Sequence, residues 1–172
     1  MATVTVAILM GSQTDLPKME KAAEVLKAFG VAHEVKVLSA HRLPDKVAEF
    51  AKAAEGQGIR VLIAGAGMAN HLAGALAANT TLPVIGVPLT GSALNGEDAL
   101  YSTVQMPKGV PVATVAIGNA ANAGLLAARI VASSDPVLLR KMVEYQAGMR
   151  DVVMDKAERL ERDGWKAYLG KK

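Results

Sequence analysis

Cysteine is absent from the 172-residue chain. Disulfides, thiolate catalysis and cysteine-based metal sites are therefore excluded, although the absence names no compartment. Aromatic residues make up only 3% of the sequence, while hydrophobic residues reach 51%. The interior must be built from Ala, Val, Leu, Ile and Met, whose small side chains let helices approach sheets and neighbouring subunits closely. The same scarcity argues against a stacked isoalloxazine and so against a flavin-binding module. No GxxxxGK phosphate loop occurs, which disfavours nucleoside triphosphate hydrolysis, and no HExxH pattern or acidic cluster suggests a metal. The net charge is +3, from 19 basic and 16 acidic residues. Apart from Lys171-Lys172 the basic side chains are dispersed without interleaved aromatics, so nucleic acid is not an expected partner. The N-terminus lacks a basic segment and a cleavage site, and no apolar run is long enough to span a membrane. A cytoplasmic enzyme or binding protein is the default expectation.

What is present reads as alternating strands and helices within a single domain over residues 1–172. Residues 4–10 form a near-continuous apolar run, the pattern of a parallel strand covered on both faces. Gly11-Ser12-Gln13-Thr14-Asp15 follows, then Pro17 and a helical pattern stopped at Phe29-Gly30. This loop suits phosphate or sugar hydroxyls at a helix start, and it equally suits ordinary capping by Thr14 or Asp15. Residues 33–38 alternate as a second strand, and Pro44 opens a second helix running to about Gln57-Gly58. Between them lies Ser39-Ala40-His41-Arg42. Arg can fork onto phosphate or carboxylate oxygens, and His supplies proton transfer near neutrality. Taken locally, the stretch reads rather as a solvated helix entry with a structural His.

Residues 59–64 form a third buried strand, leading into Gly65-Ala66-Gly67-Met68-Ala69-Asn70-His71. This resembles a dinucleotide fingerprint, but Asn70 holds the third glycine position and the run follows the third strand, so a Rossmann cofactor site is discounted. His71 by itself reads as a helix-entry residue. Residues 83–87 and 110–117 supply a fourth and a fifth strand, with a loop at Thr90 to Gly96 and a helix at residues 97–104 between them. Asn119 opens a helix to about Ala132. Asp135-Pro136 starts the last one, at about 135–163, with Leu139, Met142, Val143, Met149, Val153 and Leu160 as its apolar stripe. At 1.5 Å per residue that helix is about 40 Å long, more than a domain of this size needs. Together with a mean hydropathy of +0.25, it predicts packing on neighbouring subunits.

The pattern predicts a three-layer α/β/α sandwich, flavodoxin-like, with parallel strand order 2-1-3-4-5. Ligands of such sheets bind beyond the carboxyl ends of the strands near the switch point. The loops after strands one, two and three converge there, carrying Ser12, Asp15, Ser39, His41, Arg42 and His71. Topology thus overturns the local reading of His41.

The same loops carry a resemblance. Gly11-Ser12-Gln13-Thr14-Asp15, Ser39-Ala40-His41-Arg42-Leu43-Pro44-Asp45, Gly65-Ala66-Gly67 with His71-Leu72, Pro83-Val84-Ile85-Gly86-Val87-Pro88 and Tyr101-Ser102-Thr103-Val104-Gln105-Met106-Pro107 occur in order over nearly the whole chain. They resemble the motifs of the PurE family, the N5-carboxyaminoimidazole ribonucleotide (N5-CAIR) mutases of bacterial purine biosynthesis. The resemblance implies an isomerase without metal or organic cofactor. It also implies a homo-octamer of dihedral symmetry whose active site draws on more than one subunit. His41 would be the general acid/base. Asp15 would take ribose hydroxyls, while Ser12, Ser39 and Arg42 take phosphate, and the loop from Gly67 to Gly74, with His71 and Leu72, closes over the imidazole. Met68 and Asn70 replace small residues of the family loop, Ala73 replaces its proline, and the Gly118 to Ala121 turn is shorter than in some members. The related carboxylases, which add CO2 directly to aminoimidazole ribonucleotide (AIR), typically carry Lys after the His. Arg42 favours the mutase.

Overall fold

Three strands with nothing polar to offer solvent form the middle of the molecule. The computed structural model describes residues 4–169; residues 1–3, part of the N-terminus read above as lacking a basic segment and a cleavage site, and residues 170–172, which include Lys171-Lys172, lie outside the described residues. Strands β1 (Val6–Met10), β3 (Val61–Ala66) and β4 (Val84–Pro88) are buried almost throughout. β2 (His33–Val37) and β5 (Ala113–Thr114) form the edges of a parallel sheet ordered β2-β1-β3-β4-β5. The central strands need apolar residues on both faces because helices cover both. Val6, Ile8 and Met10 point to one layer and Ala7 and Leu9 to the other, each set joining a separate hydrophobic cluster. Edge strand β2 instead pairs Glu34 with Lys36 on its half-buried face. Charged groups at that position discourage pairing with another sheet.

Helices α1 (Leu16–Phe29) and α5 (Ala120–Ala132) cover one face; α2 (Pro44–Ala53), α3 (His71–Ala77) and α4 (Glu97–Val104) cover the other. Small residues bring α1 and α5 together: a Cβ on Gly124 would stand 2.8 Å from the Ala22 carbonyl oxygen. α1 ends where Gly30 adopts φ 76° and its N–H meets the last-turn carbonyls, as the Phe29-Gly30 stop predicts. Among the described residues no helix is long and apolar enough to cross a membrane.

The third and fifth strands differ from the sequence reading by two residues or more at both ends. The fifth strand, expected over 110–117, forms a ladder only at Ala113–Thr114. Pro111 has no N–H to give a neighbour, and Val110 is drawn into a turn by its bond to the Pro107 carbonyl. The third strand starts later and runs further than 59–64. Ile59 closes the preceding turn onto Ala54, while Gly65 and Ala66 pair with Met10 and Pro88 instead of opening a loop.

Helix α6 (Pro136–Leu169) begins as expected, with the Asp135 carboxylate accepting from the N–H groups of Val137 and Leu138 at 2.9 and 3.1 Å. Its helical geometry breaks at Gly164 (φ 74°, ψ 152°). Leu138 and Met142 are its only buried residues, and Tyr145 meets Phe29 edge-on at 5.5 Å. The predicted stripe therefore divides. Met142 packs on the chain's own core, whereas Leu139, Val143, Met149, Val153 (64% exposed) and Leu160 face outward.

Candidate active site

The turn after β1 is a single 3-10 turn, Gln13–Asp15. Ser12 Oγ accepts from the Thr14 N–H at 3.3 Å and from the Thr14 hydroxyl at 2.9 Å. The turn runs straight into α1, so Ser12 and Asp15 face the same crevice. After β2, the Ser39 carbonyl accepts from the N–H groups of Arg42 and Leu43 at 3.3 and 2.8 Å, curling the chain above buried Ala40. That curl lifts His41 and Arg42 into solvent at the crevice edge. After β3, exposed Met68 takes φ 53°, a left-handed backbone that the family's small residue would adopt at less cost.

The topology brings together every residue singled out in the sequence. Ser12, Asp15, Ser39, His41, Arg42, Gly67, His71 and Leu72 all line one cleft of about 450 Å³ at the carboxyl ends of the strands. The His41 and His71 rings stand edge to face, 5.1 Å apart at 73°. They form a wall between this cleft and a second hollow of about 370 Å³ that also reaches Ser102 and Met106. Among the described residues no three His, Asp or Glu side chains gather as a metal-holding group.

Two features were not anticipated. Lys18, on the first turn of α1, lines the cleft and donates from Nζ to the Thr90 carbonyl at 2.7 Å. Its spacing of three residues from Asp15 was the available signal, since such pairs share a helix face. Asn70 is wholly buried: its N–H donates to Ser102 Oγ at 2.9 Å and its Nδ2 to the Val87 carbonyl at 3.3 Å. Its Oδ1 is buried without a partner among the described residues. Asn70 thus fastens the end of the loop to β4 and α4.

Burial pushes the Asp15 carboxyl up from its ordinary value, and a hydrogen bond from the Ser12 backbone and the charge of Lys18 oppose the shift only in part. A raised acid favours the protonated form in the fold. Its stabilising contribution is complete below the unfolded-state value and is lost as pH rises through the folded-state value. Asp15→Asn should therefore melt higher than the parent at neutral pH, with the gap closing on acidification. Melting curves at several pH values check this; a gap independent of pH would show that ionisation is not its source.

A parallel α/β sheet whose crevice gathers an imidazole pair, two cations and a carboxylate defines an enzyme-type site for a small anionic ligand, with a group placed for proton transfer. The family model described as AIR carboxylase matches residues 5–152. An N5-carboxyaminoimidazole ribonucleotide mutase of Thermotoga maritima is 56% identical over 97% of this chain and 98% of its own length. A phosphoribosylaminoimidazole carboxylase of Schizosaccharomyces pombe is 54% identical over 95% of this chain, but over only 30% of its own length. A crystal structure of Treponema denticola PurE superposes with a TM-score of 0.82 at 30% identity, covering 91% of this chain and 98% of that one. The chain belongs to the AIR carboxylase family.

Proposed function

We infer that the chain is an N5-CAIR mutase of purine biosynthesis, an isomerase that moves a carboxyl group within one ribonucleotide. The observation that carries this reading is His41 beside Arg42 at the switch-point crevice, facing His71 across 5.1 Å. The near-full-length match to a mutase supports it. The substrate bears its carboxylate on the exocyclic nitrogen, and the product bears it on the adjacent ring carbon. His41 as imidazolium protonates that nitrogen as the N–C bond breaks, releasing CO2. The enamine-like ring carbon then attacks the CO2, and neutral His41 removes the proton left on that carbon. One group gives a proton and takes one back, so the enzyme returns to its starting state. Arg42, Ser12 and Ser39 hold the phosphate and Asp15 the ribose hydroxyls. Closure of the 67–74 loop keeps CO2 in and water out.

The same reading makes the chain one domain in a cytoplasmic homo-octamer, with residues of neighbouring subunits completing each site. The outward apolar residues of α6 support association, since a monomer would leave Val143, Val153 and Trp165 each at least 60% exposed. Light scattering should give about eight times the 17.9 kDa of the chain; a monomer would refute the packing assigned to α6.

The family description and the fungal relative favour a second reading, direct carboxylation of AIR. Two feeds followed by ultraviolet absorbance separate them: N5-CAIR with bicarbonate kept low, and AIR with excess bicarbonate. Fast conversion of the first alone is the expected result. Efficient use of the second would establish the carboxylase, and conversion of neither would end both readings.

A further inference from the structure

The cleft holds two cations at opposite ends, and the assigned function uses only one of them. Arg42 stands on the loop after β2. Lys18 reaches the loop after β4, where its Nζ meets the Thr90 carbonyl at 2.7 Å. In the order β2-β1-β3-β4 those loops are three strand spacings apart, about 14 Å at 4.8 Å per spacing. β3 stands between β1, which leads into α1, and β4, so Lys18 in reaching Thr90 crosses the end of the sheet where the loop carrying His71 begins, and the His71 ring meets His41 at 5.1 Å. A carbonyl uses one of the three ammonium donors. No carboxylate among the described residues lies within ion-pairing distance of Lys18.

We propose that Lys18 is the binding residue for the migrating carboxylate of the ribonucleotide, as Arg42 is for its phosphate. The proposal rests on the mutase reading and deepens it. Substrate and product each carry two anionic groups: a phosphate on the ribose and a carboxylate on the exocyclic nitrogen or the adjacent ring carbon. A guanidinium fork suits the fixed phosphate, whereas a flexible ammonium suits a carboxylate that occupies two neighbouring positions in one turnover. Its hydrogen bond to Thr90 holds the ammonium in place before ligand arrives, and two donors stay available for carboxylate oxygens. The partly exposed setting keeps the attraction moderate. That is a requirement of the chemistry, because a carboxylate bound too tightly would resist becoming neutral CO2.

The discriminating ligands are AIR, which lacks the carboxylate, and the product 4-carboxyaminoimidazole ribonucleotide (CAIR), which has it. Calorimetric titration of the intact protein with each should show Lys18→Met losing about tenfold in affinity for CAIR. Affinity for AIR should stay within about twofold, which also shows that the variant is folded. Lys18→Arg, keeping the charge, should retain the preference for CAIR. Equal loss for both ligands would make Lys18 a structural or phosphate-end residue and overturn the proposal, as would no loss for either. If the parent protein binds both ligands and converts N5-CAIR, such a result strikes only the role of Lys18. If the parent fails to convert N5-CAIR, the mutase reading falls and takes this proposal with it.

Discussion

Replacing His41 with Asn should lower turnover of N5-CAIR by about four orders of magnitude, the upper end for loss of a general acid/base, while AIR still binds. The size follows from the double use proposed for it: the same imidazole would protonate the leaving nitrogen and later deprotonate the ring carbon, and an amide can do neither. Binding survives because the backbone curl that presents residue 41 does not depend on its side chain. It rests on buried Ala40 and on the bonds from Arg42 and Leu43 to the Ser39 carbonyl. Steady-state turnover and AIR titration on one preparation check both halves. Substantial residual turnover would remove His41 from the proton path and leave His71, the other half of the imidazole wall, as the group to test.

Arg42→Ala should act in the opposite sense, raising KM about 10- to 100-fold while kcat changes by less than about threefold. Hydrogen bonds to a charged group each contribute about 1.5–3 kcal/mol, and a bidentate guanidinium adds geometric fit to charge. Arg42 sits just before α2 (Pro44–Ala53) and projects into solvent, so its loss leaves no buried partner stranded. The phosphate does not react, so binding to it is uniform between ground and transition states and appears in KM. Arg42→Lys should recover part of the affinity, because it restores the charge without the fork. An unchanged KM in the Ala variant would rule out the phosphate role.

Several features follow from sequence through local physics alone. The apolar runs of β1, β3 and β4 have one sensible fate, a sheet covered on both faces, and their alternation with helices gives the parallel order found. Asp135-Pro136 announces α6 because a carboxylate at the cap and a proline at the first turn need nothing from the rest of the molecule. The place of the candidate site is also legible, since Ser12, Asp15, Ser39, His41, Arg42 and His71 fall on loops that this topology must bring to one crevice.

Other features exist only through contacts between distant parts of the chain. Lys18 belongs to the cleft because a long side chain meets a carbonyl 72 residues later. The imidazole wall depends on how far the loops after β2 and β3 rise, which no periodicity encodes. Asn70 looks like a loop residue until β4 and α4 bury it. The shortness of β5 reflects which N–H groups proline removes from the ladder beside β4. Likewise, the stripe on α6 is visible as a pattern, but its division into an inward Met142 and outward Val143 and Val153 is set by where the core of the chain ends. Local sequence determines what each segment can be; packing decides which side chains meet, because that depends on residues far away along the chain.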